Sequence, residues 1–472
     1  MGKLNFTVAS AVEATNAPPI PKAQAWGRTY QESPTYGPLL GLSQGVPKSA
    51  PHDTVLSALS AAASDPESAR YGPILGEPAL REAYAEETRI QYQLSAPSAK
   101  GGNGGAGVHM EDIAITTGCN MAFLTLIMAL CPPGRSSALI PLPAYFNQMM
   151  VFSLQSVKPI YIPSDTENGF KADINAAREY LLSPKQLQKR EEEGEEGVKP
   201  RMIVLVSPNN PTGAVYSHEE LKEWFELAKE ARVALVLDET YRDFVESQGS
   251  QEGERGVPHR LFEEEDWRST LVSLGSFSKG YRIPGHRLGS IIASPELLKH
   301  LTTVCDCMQI CAPRPPQIAI APLLPSLRPD LLDSSSALSK RRRLFVKTVQ
   351  SVPGWNVPST GGYFAYVSFP SDYQYASSVL GLKRKKLSSE DIAKVLAEKV
   401  GVVTLPGSFF MPDLKDQDVW EEDVLPGGEV LKEDKWLRFA VANVDDDVIL
   451  QLGPRLREMN KLMGLDSTVK RS

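Results

Sequence analysis

The densest chemical signal is Ser276-Phe277-Ser278-Lys279, which runs on to Pro284-Gly285-His286-Arg287-Leu288-Gly289. It follows Thr270–Leu274, an apolar run that predicts a buried strand. A lysine amine sheltered from water condenses with aldehydes, so Lys279 in this setting points to a Schiff base with an aldehyde cofactor. Ser276, Ser278 and Arg287 are the groups that meet a phosphate, the arginine through a forked, charge-assisted contact. Gly285 and Gly289 let the backbone turn tightly around such a group. A lone lysine here is ordinarily a surface residue. The hydroxyls and the arginine give this one a chemistry.

Two upstream turns belong with it. Ser207-Pro208-Asn209-Asn210-Pro211-Thr212-Gly213 leaves the apolar run Met202–Val206, and alone it is ordinary turn chemistry. The next run, Val233–Leu237, ends in Asp238-Glu239-Thr240-Tyr241. An acid at the carboxyl end of a buried parallel strand stands where open α/β sheets bind ligands, although Asp238 read alone is also a good helix cap. Successive strand ends converge on one crevice.

The elements that must position these residues are short apolar runs alternating with helical patterns between Asp112 and Ala293. The predicted strands are Ile113–Thr116, Ala138–Pro141, Pro159–Ile162, Met202–Val206, Val233–Leu237, Thr270–Leu274 and Ser290–Ala293. Glu219–Arg232 repeats Leu221, Trp224, Phe225 and Ala228 at helical spacing, behind a capping box of Ser217 and Glu220. The fold class is therefore α/β: a mostly parallel seven-stranded sheet flanked by helices, with a smaller α+β domain formed by the N- and C-terminal segments. Residues 1–65 are expected to form an N-terminal arm and part of the small domain, 66–332 the large domain, and 333–472 the small C-terminal domain. In the latter, Lys340-Arg341-Arg342-Arg343 is expected to open a helix and Gly361–Val367 to form a strand after a turn. Ser388–Val400 is expected to be a helix with Glu390 as capping partner, and Val402–Thr404 and Trp436–Ala440 complete that domain. Lys100–Gly107 and the acidic stretch Lys189–Gly197 read as solvated insertions.

Over nearly the whole chain, and in order, these pieces resemble the class I/II aminotransferases, fold-type-I pyridoxal-phosphate enzymes of the aspartate-aminotransferase kind. The matching residues are Tyr71, Gly118-Cys119-Asn120-Met121-Ala122, Pro143-Ala144-Tyr145, Asn210–Gly213, Asp238–Tyr241, Ser276–Gly289 and Arg438. The resemblance implies pyridoxal 5'-phosphate carried on Lys279, which also serves as general base. It implies Asp238 on the pyridine nitrogen, a carboxylate that keeps the ring cationic. Asn210 and Tyr241 would bond the ring's phenolic oxygen, Tyr145 would stack on its face, and Gly118, Cys119 and Asn120 would open a helix that receives the phosphate. Tyr71 would reach the phosphate of a neighbouring subunit, so a homodimer with shared active sites is implied. Arg438 would grip the substrate α-carboxylate, with Asn210 beside it; read without the resemblance, Arg438 could instead snorkel from a strand. Gly45, in Leu42-Ser43-Gln44-Gly45-Val46-Pro47, resembles a segment that closes over the substrate, and Pro406–Phe409 a loop at the same mouth.

The implied activity is transfer of an amino group from an L-amino acid to a 2-oxo acid. Cofactor residues set up the α-carbanion but not its fate, so a carbon–sulfur lyase or an aminocyclopropanecarboxylate-synthase-like lyase, in specialised metabolism, is the alternative. Trp26, Tyr30, Phe146, Tyr363 and Phe409 lean toward an aromatic or bulky donor.

Composition narrows the rest. A net charge of -7 argues against a nucleic-acid partner; the basic Lys383–Lys386 run reads as a solvated loop. No apolar run approaches the roughly 20 residues that span a bilayer. Met1–Thr7 lacks a secretory core, Phe6 stands where a myristoylation signal needs Ser or Thr, and Val469–Ser472 is no peroxisomal address. Cytoplasmic residence is the expectation. Five cysteines make no disulfide framework, and Cys305, Cys307 and Cys311 lack the spacing of a metal site, so no metal is expected.

Overall fold

All seven apolar runs become strands of one sheet in the computed structural model, which describes residues 5–32, 36–94, 107–247, 255–378, 381, 386–413 and 417–465. They are β1 (Ile113–Thr116), β2 (Ser136–Pro141), β3 (Lys158–Ile162), β4 (Lys199–Val206), β5 (Ala234–Asp238), β6 (Leu271–Ser276) and β7 (Gly289–Ile292). The spatial order is β1-β7-β6-β5-β4-β2-β3, and β7 alone runs antiparallel to its two neighbours. Alternate residues of one strand enter different cores: Ile203 and Leu205 face one cluster, Met202 and Val204 the other. A sheet covered on both faces needs apolar residues at every position, which is why these strands read as runs and not as alternations.

The covering helices explain themselves locally. The helix α1 (Cys119–Leu130) leaves β1 through Gly118, whose φ of +82° lies in the region that favours glycine. The helix α2 (His218–Glu230) starts at Ser217, and Ser217 and Glu220 form the reciprocal capping box the sequence predicts. It buries Leu221, Trp224, Phe225 and Ala228, with the large side chains contributing roughly 1.5–3 kcal/mol each. The helix α3 (Pro295–Gln309) follows β7.

A second core gathers around a four-stranded sheet, order β8-β9-β11-β10, of β8 (Asn356–Gly361), β9 (Phe364–Ser368), β10 (Leu405–Pro406) and β11 (Trp436–Ala440). Leu40 and Leu42 join this core from the other end of the chain, since Leu40–Gly41 pairs in parallel with Val402–Val403.

Some local expectations are corrected. The helix α4 (Arg328–Gln350) begins well before Lys340; it places Leu331 in the large core and Phe345 and Val349 in the second. The helix α5 (Ser389–Val400) is capped by Ser388 with Asp391, while Glu390 pairs with Lys22 at 2.6 Å. The third helical position, not the second, can reach back to the cap. The stretch Lys189–Gly197 is not all loop: Pro184–Glu193 is a helix, with Gln188 bonded to Glu192 and Arg190 to the Leu181 carbonyl. Pairs four residues apart offset the repulsion of the acidic run, whose Glu191–Glu193 side chains stay in water. Residues 100–106, 382–385, 1–4 and 469–472, on which other expectations fell, lie outside the described residues. No helix among the described residues is long and apolar enough to cross a membrane, and none of their side-chain groups could hold a metal ion. All five cysteines are free.

Candidate active site

The carboxyl ends of β1, β4, β5 and β6 open on one cavity of about 160 Å³. Its wall includes Cys119 and Asn120 from α1, Asn210 after β4, Asp238 and Tyr241 after β5, and Ser276, Ser278, Lys279 and Arg287 after β6. Tyr145 closes it from the segment that follows β2. A wider groove of about 550 Å³, lined by Asp165, Lys171 and Trp224, opens elsewhere; none of the candidate catalytic, cofactor or substrate residues lines it.

Asp238 is buried and receives four donors. Its Oδ1 accepts from the Thr240 amide at 3.1 Å, the Thr240 hydroxyl at 2.7 Å and the Cys119 thiol at 3.8 Å; its Oδ2 accepts from Gln148 Nε2 at 3.0 Å. Burial pushes its carboxyl above the usual range, and the Thr240 bonds pull it part of the way back. Among the described residues no cation forms an ion pair with it. A cationic ring nitrogen would supply the missing charge.

Lys279 lines the same cavity. Its Nζ donates to the Gly45 carbonyl at 2.5 Å and lies 5.8 and 5.7 Å from the ring centroids of Tyr241 and Tyr363. Burial, then the positive charges of Arg438 and Arg287, lower its pKa to about 8. Such an amine is a usable base and nucleophile near neutral pH. Tyr363 donates its hydroxyl to the Lys279 carbonyl at 3.1 Å, holding the loop.

The other end of the cavity suits an anion. Gly118 caps α1 with no side-chain partner, so the first amides of that helix are free to receive negative charge. A Cβ at Gly118 would overlap the Arg287 guanidinium, so the glycine is what lets arginine and helix end approach. Arg287 donates to the Pro284 carbonyl at 3.0 Å and has no carboxylate partner among the described residues. Ser276 Oγ accepts from the Ser278 amide at 3.2 Å, which shapes the turn ahead of Lys279.

Arg438, at the centre of β11, is 1 % exposed, which rules out snorkelling. Its Nη1 donates to Asn210 Oδ1 at 2.9 Å, its Nη2 donates to the Ser43 carbonyl, and its Nε has no partner. The guanidinium lies 4.5 Å from the Phe364 ring centroid and 5.1 Å from that of Phe410. Burial lowers its pKa to about 10, which leaves it cationic at neutral pH. A buried cation with an unused donor is a receptor for a carboxylate.

Some candidates lie elsewhere. Tyr71 is 78 % exposed and lines no wall of this cavity in its own chain. Tyr30 bonds the Gly37 carbonyl and packs at Gly401, away from the crevice. Phe409 packs on Trp26, and its neighbour Phe410 faces Arg438 instead. Phe146 packs with its ring tilted against Tyr145 and Phe410, behind the wall. Gln148, Thr240 and Ser43 were missed. An Asx turn at Asp238 could have flagged Thr240, and Ser43 lies in the segment read as closing over the substrate, but nothing in the sequence points to Gln148, which reaches the site only through folding.

Residues 38–455 match the family model described as aminotransferase class I and II. The aspartate aminotransferase of Sulfurisphaera tokodaii is 25% identical over 369 residues, covering 77% of this chain and 82% of that relative. The aromatic aminotransferase ISS1 of Arabidopsis thaliana is 24% identical, covering 78% of this chain and 81% of that relative. Among solved structures, an aspartate aminotransferase from Rhizobium meliloti superposes with a TM-score of 0.75 at 20% identity, over 97% of this chain and 99% of the other.

Proposed function

Because the chain belongs to the class I and II aminotransferases, and is thus a pyridoxal-phosphate enzyme acting on small-molecule amino and oxo acids, we propose that Lys279 carries the cofactor in the crevice just described. The observation behind this reading is that an amine of lowered pKa, a buried carboxylate without a cation and an uncapped helix end beside Arg287 face one cavity. Each matches one part of pyridoxal phosphate: aldehyde, ring nitrogen and phosphate.

Asp238 would hold the ring nitrogen, with Thr240, Gln148 and Cys119 orienting its carboxylate. The amides of Cys119 and Asn120, with Ser276, Ser278 and Arg287, would hold the phosphate, while the Gly118 amide is used on the Thr116 carbonyl at 2.7 Å. Tyr145 would cover the ring face; Tyr241 and Asn210 would bond its phenolic oxygen. When bound, the cofactor supplies an electron sink for the negative charge left at the substrate α-carbon. Arg438 and Asn210 bind and orient the α-carboxylate, aiming the α-hydrogen at Lys279. The Lys279 amine, neutral in an appreciable fraction near its pKa of about 8, takes that proton and later returns it. Gly45 and its neighbours exclude water on that side.

The exposed Tyr71 supports a homodimer in which it reaches the second subunit's phosphate. Free cysteines support a reducing compartment such as the cytoplasm. Elimination is not favoured, since the relatives named above are transaminases. Tyr363 beside Lys279 supports a bulky or aromatic donor.

A single-turnover half-reaction tests the reading. The holoenzyme, without oxo acid, is mixed with individual amino acids and cysteine conjugates. Stoichiometric conversion of the cofactor to its amino form with one oxo acid released is expected. Catalytic release of ammonia with pyruvate or a thiol overturns it in favour of a lyase.

A further inference from the structure

Seven non-glycine residues among those described have positive φ, and Ile310 is the one that is β-branched. Its φ of 60° and ψ of -65° form a γ-turn of the strained hand, closed by the Cys311 amide donating to the Gln309 carbonyl at 2.6 Å. Packing does not impose this, because Ile310 is 44% exposed. Strain of this kind persists where flanking contacts over-determine it, and both flanks are tied. Gln309 Oε1 accepts from the Thr117 amide at 2.8 Å and its Nε2 donates to the Ile115 carbonyl at 3.4 Å. On the other side, Cys311 Sγ accepts from the Gly72 amide at 3.4 Å. Thr117 is the residue before Gly118, and Gly72 the one after Tyr71.

We propose that Gln309 is a positioning residue for the anion cradle at Gly118, and that the strained turn at Ile310 registers this cradle against the loop bearing Tyr71. The inference rests on the reading that the cradle receives the cofactor's phosphate. Both ends of the Gln309 carboxamide are used on the turn out of β1, so the side chain sets where Gly118 and the first amides of α1 stand. The cradle tolerates little displacement, because a Cβ at Gly118 would already collide with Arg287. At Ile310, a backbone in the ordinary helical or extended region would swing Gln309 and Cys311 out of register, releasing one tie or the other. The turn thus couples the phosphate end of the crevice to Tyr71, on the outer surface of the same chain.

The test compares the wild-type holoenzyme with Gln309→Ala and Ile310→Gly. It measures pyridoxal-phosphate release on dilution, kcat at saturating cofactor, and amide exchange at Thr117. Gln309→Ala is expected to release cofactor about tenfold faster, the effect of losing its bonds to the half-buried Thr117 amide and the Ile115 carbonyl. Its kcat at saturating cofactor should stay within about twofold of wild type, while Thr117 exchanges faster. Ile310→Gly, which adopts positive φ without strain and keeps Gln309 in place, should match wild type in release and exchange and melt no lower. Wild-type release and exchange in a folded Gln309→Ala overturns the proposal, as does Ile310→Gly behaving like Gln309→Ala. If wild type itself retains no cofactor, the functional reading fails instead, and Thr117 exchange still decides the positioning role.

Discussion

Replacing Lys279 with methionine should stabilise the cofactor-free protein at neutral pH while abolishing turnover. Methionine keeps most of the lysine's volume and removes its charge. The lysine pKa falls from 10.5 to about 8 in the fold. At 1.36 kcal/mol per tenfold in proton affinity, that is roughly 3 kcal/mol against folding while the amine is protonated. The side chain is only partly buried, so water in the crevice returns some of this, and losing the bond to the Gly45 carbonyl offsets up to about 1 kcal/mol more. Roughly 1–2 kcal/mol should remain. With an unfolding entropy near 2.1 cal/mol/K per residue, the 472-residue chain has about 1 kcal/mol/K, so the melting temperature rises by about 1–2 °C. The sign with pH follows from the lowered pKa. The unfolded chain binds the proton more tightly, so wild-type stability climbs between pH 8 and 10.5 and the methionine variant lacks that climb. Scanning calorimetry of both cofactor-free proteins from pH 7 to 10.5 checks this. A gap that does not shrink with pH, or a wild type more stable at pH 7, refutes the reasoning.

On the proposed placement, Asp238→Asn keeps the shape of the crevice but would leave the ring nitrogen without its charge partner; the half-reaction rate, followed by cofactor absorbance, should fall about 10³-fold, roughly 4 kcal/mol. Arg438→Lys retains the cation but loses the fork that bonds Asn210 and, in the proposed role, the substrate carboxylate; kcat/KM for the donor should drop about 100-fold in steady-state assays. Gly118→Ala places a methyl group at φ +82° against Arg287; dialysed enzyme should lose cofactor measurably faster than wild type, while its far-ultraviolet dichroism stays the same.

The large sheet was legible because its strands are covered on both faces, so each reads as an unbroken apolar run between turn residues. Helix boundaries were less so. A capping box marked the start of α2, but α4 begins at Arg328-Pro329 within a polar stretch, and its two-core role shows only when both cores exist.

The site divides the same way. Lys279, Asp238 and Arg287 stood out from residue type and spacing alone, because local turns at strand ends carry the chemistry and parallel order sends those ends to one edge. Spacing could not reveal the long-range partners. Gln148 meets Asp238 across 90 residues, Arg438 meets Asn210 across 228 and Ser43 across 395, and Lys279 meets Gly45 across 234. Nor could it give Lys279 a pKa of about 8, which comes from burial and two arginines brought near it by folding. The residue types able to do the chemistry were determined by the sequence. Which of them share a wall, and how acidic each becomes, only tertiary structure decides, because burial and Coulomb interaction depend on distance through space and not along the chain.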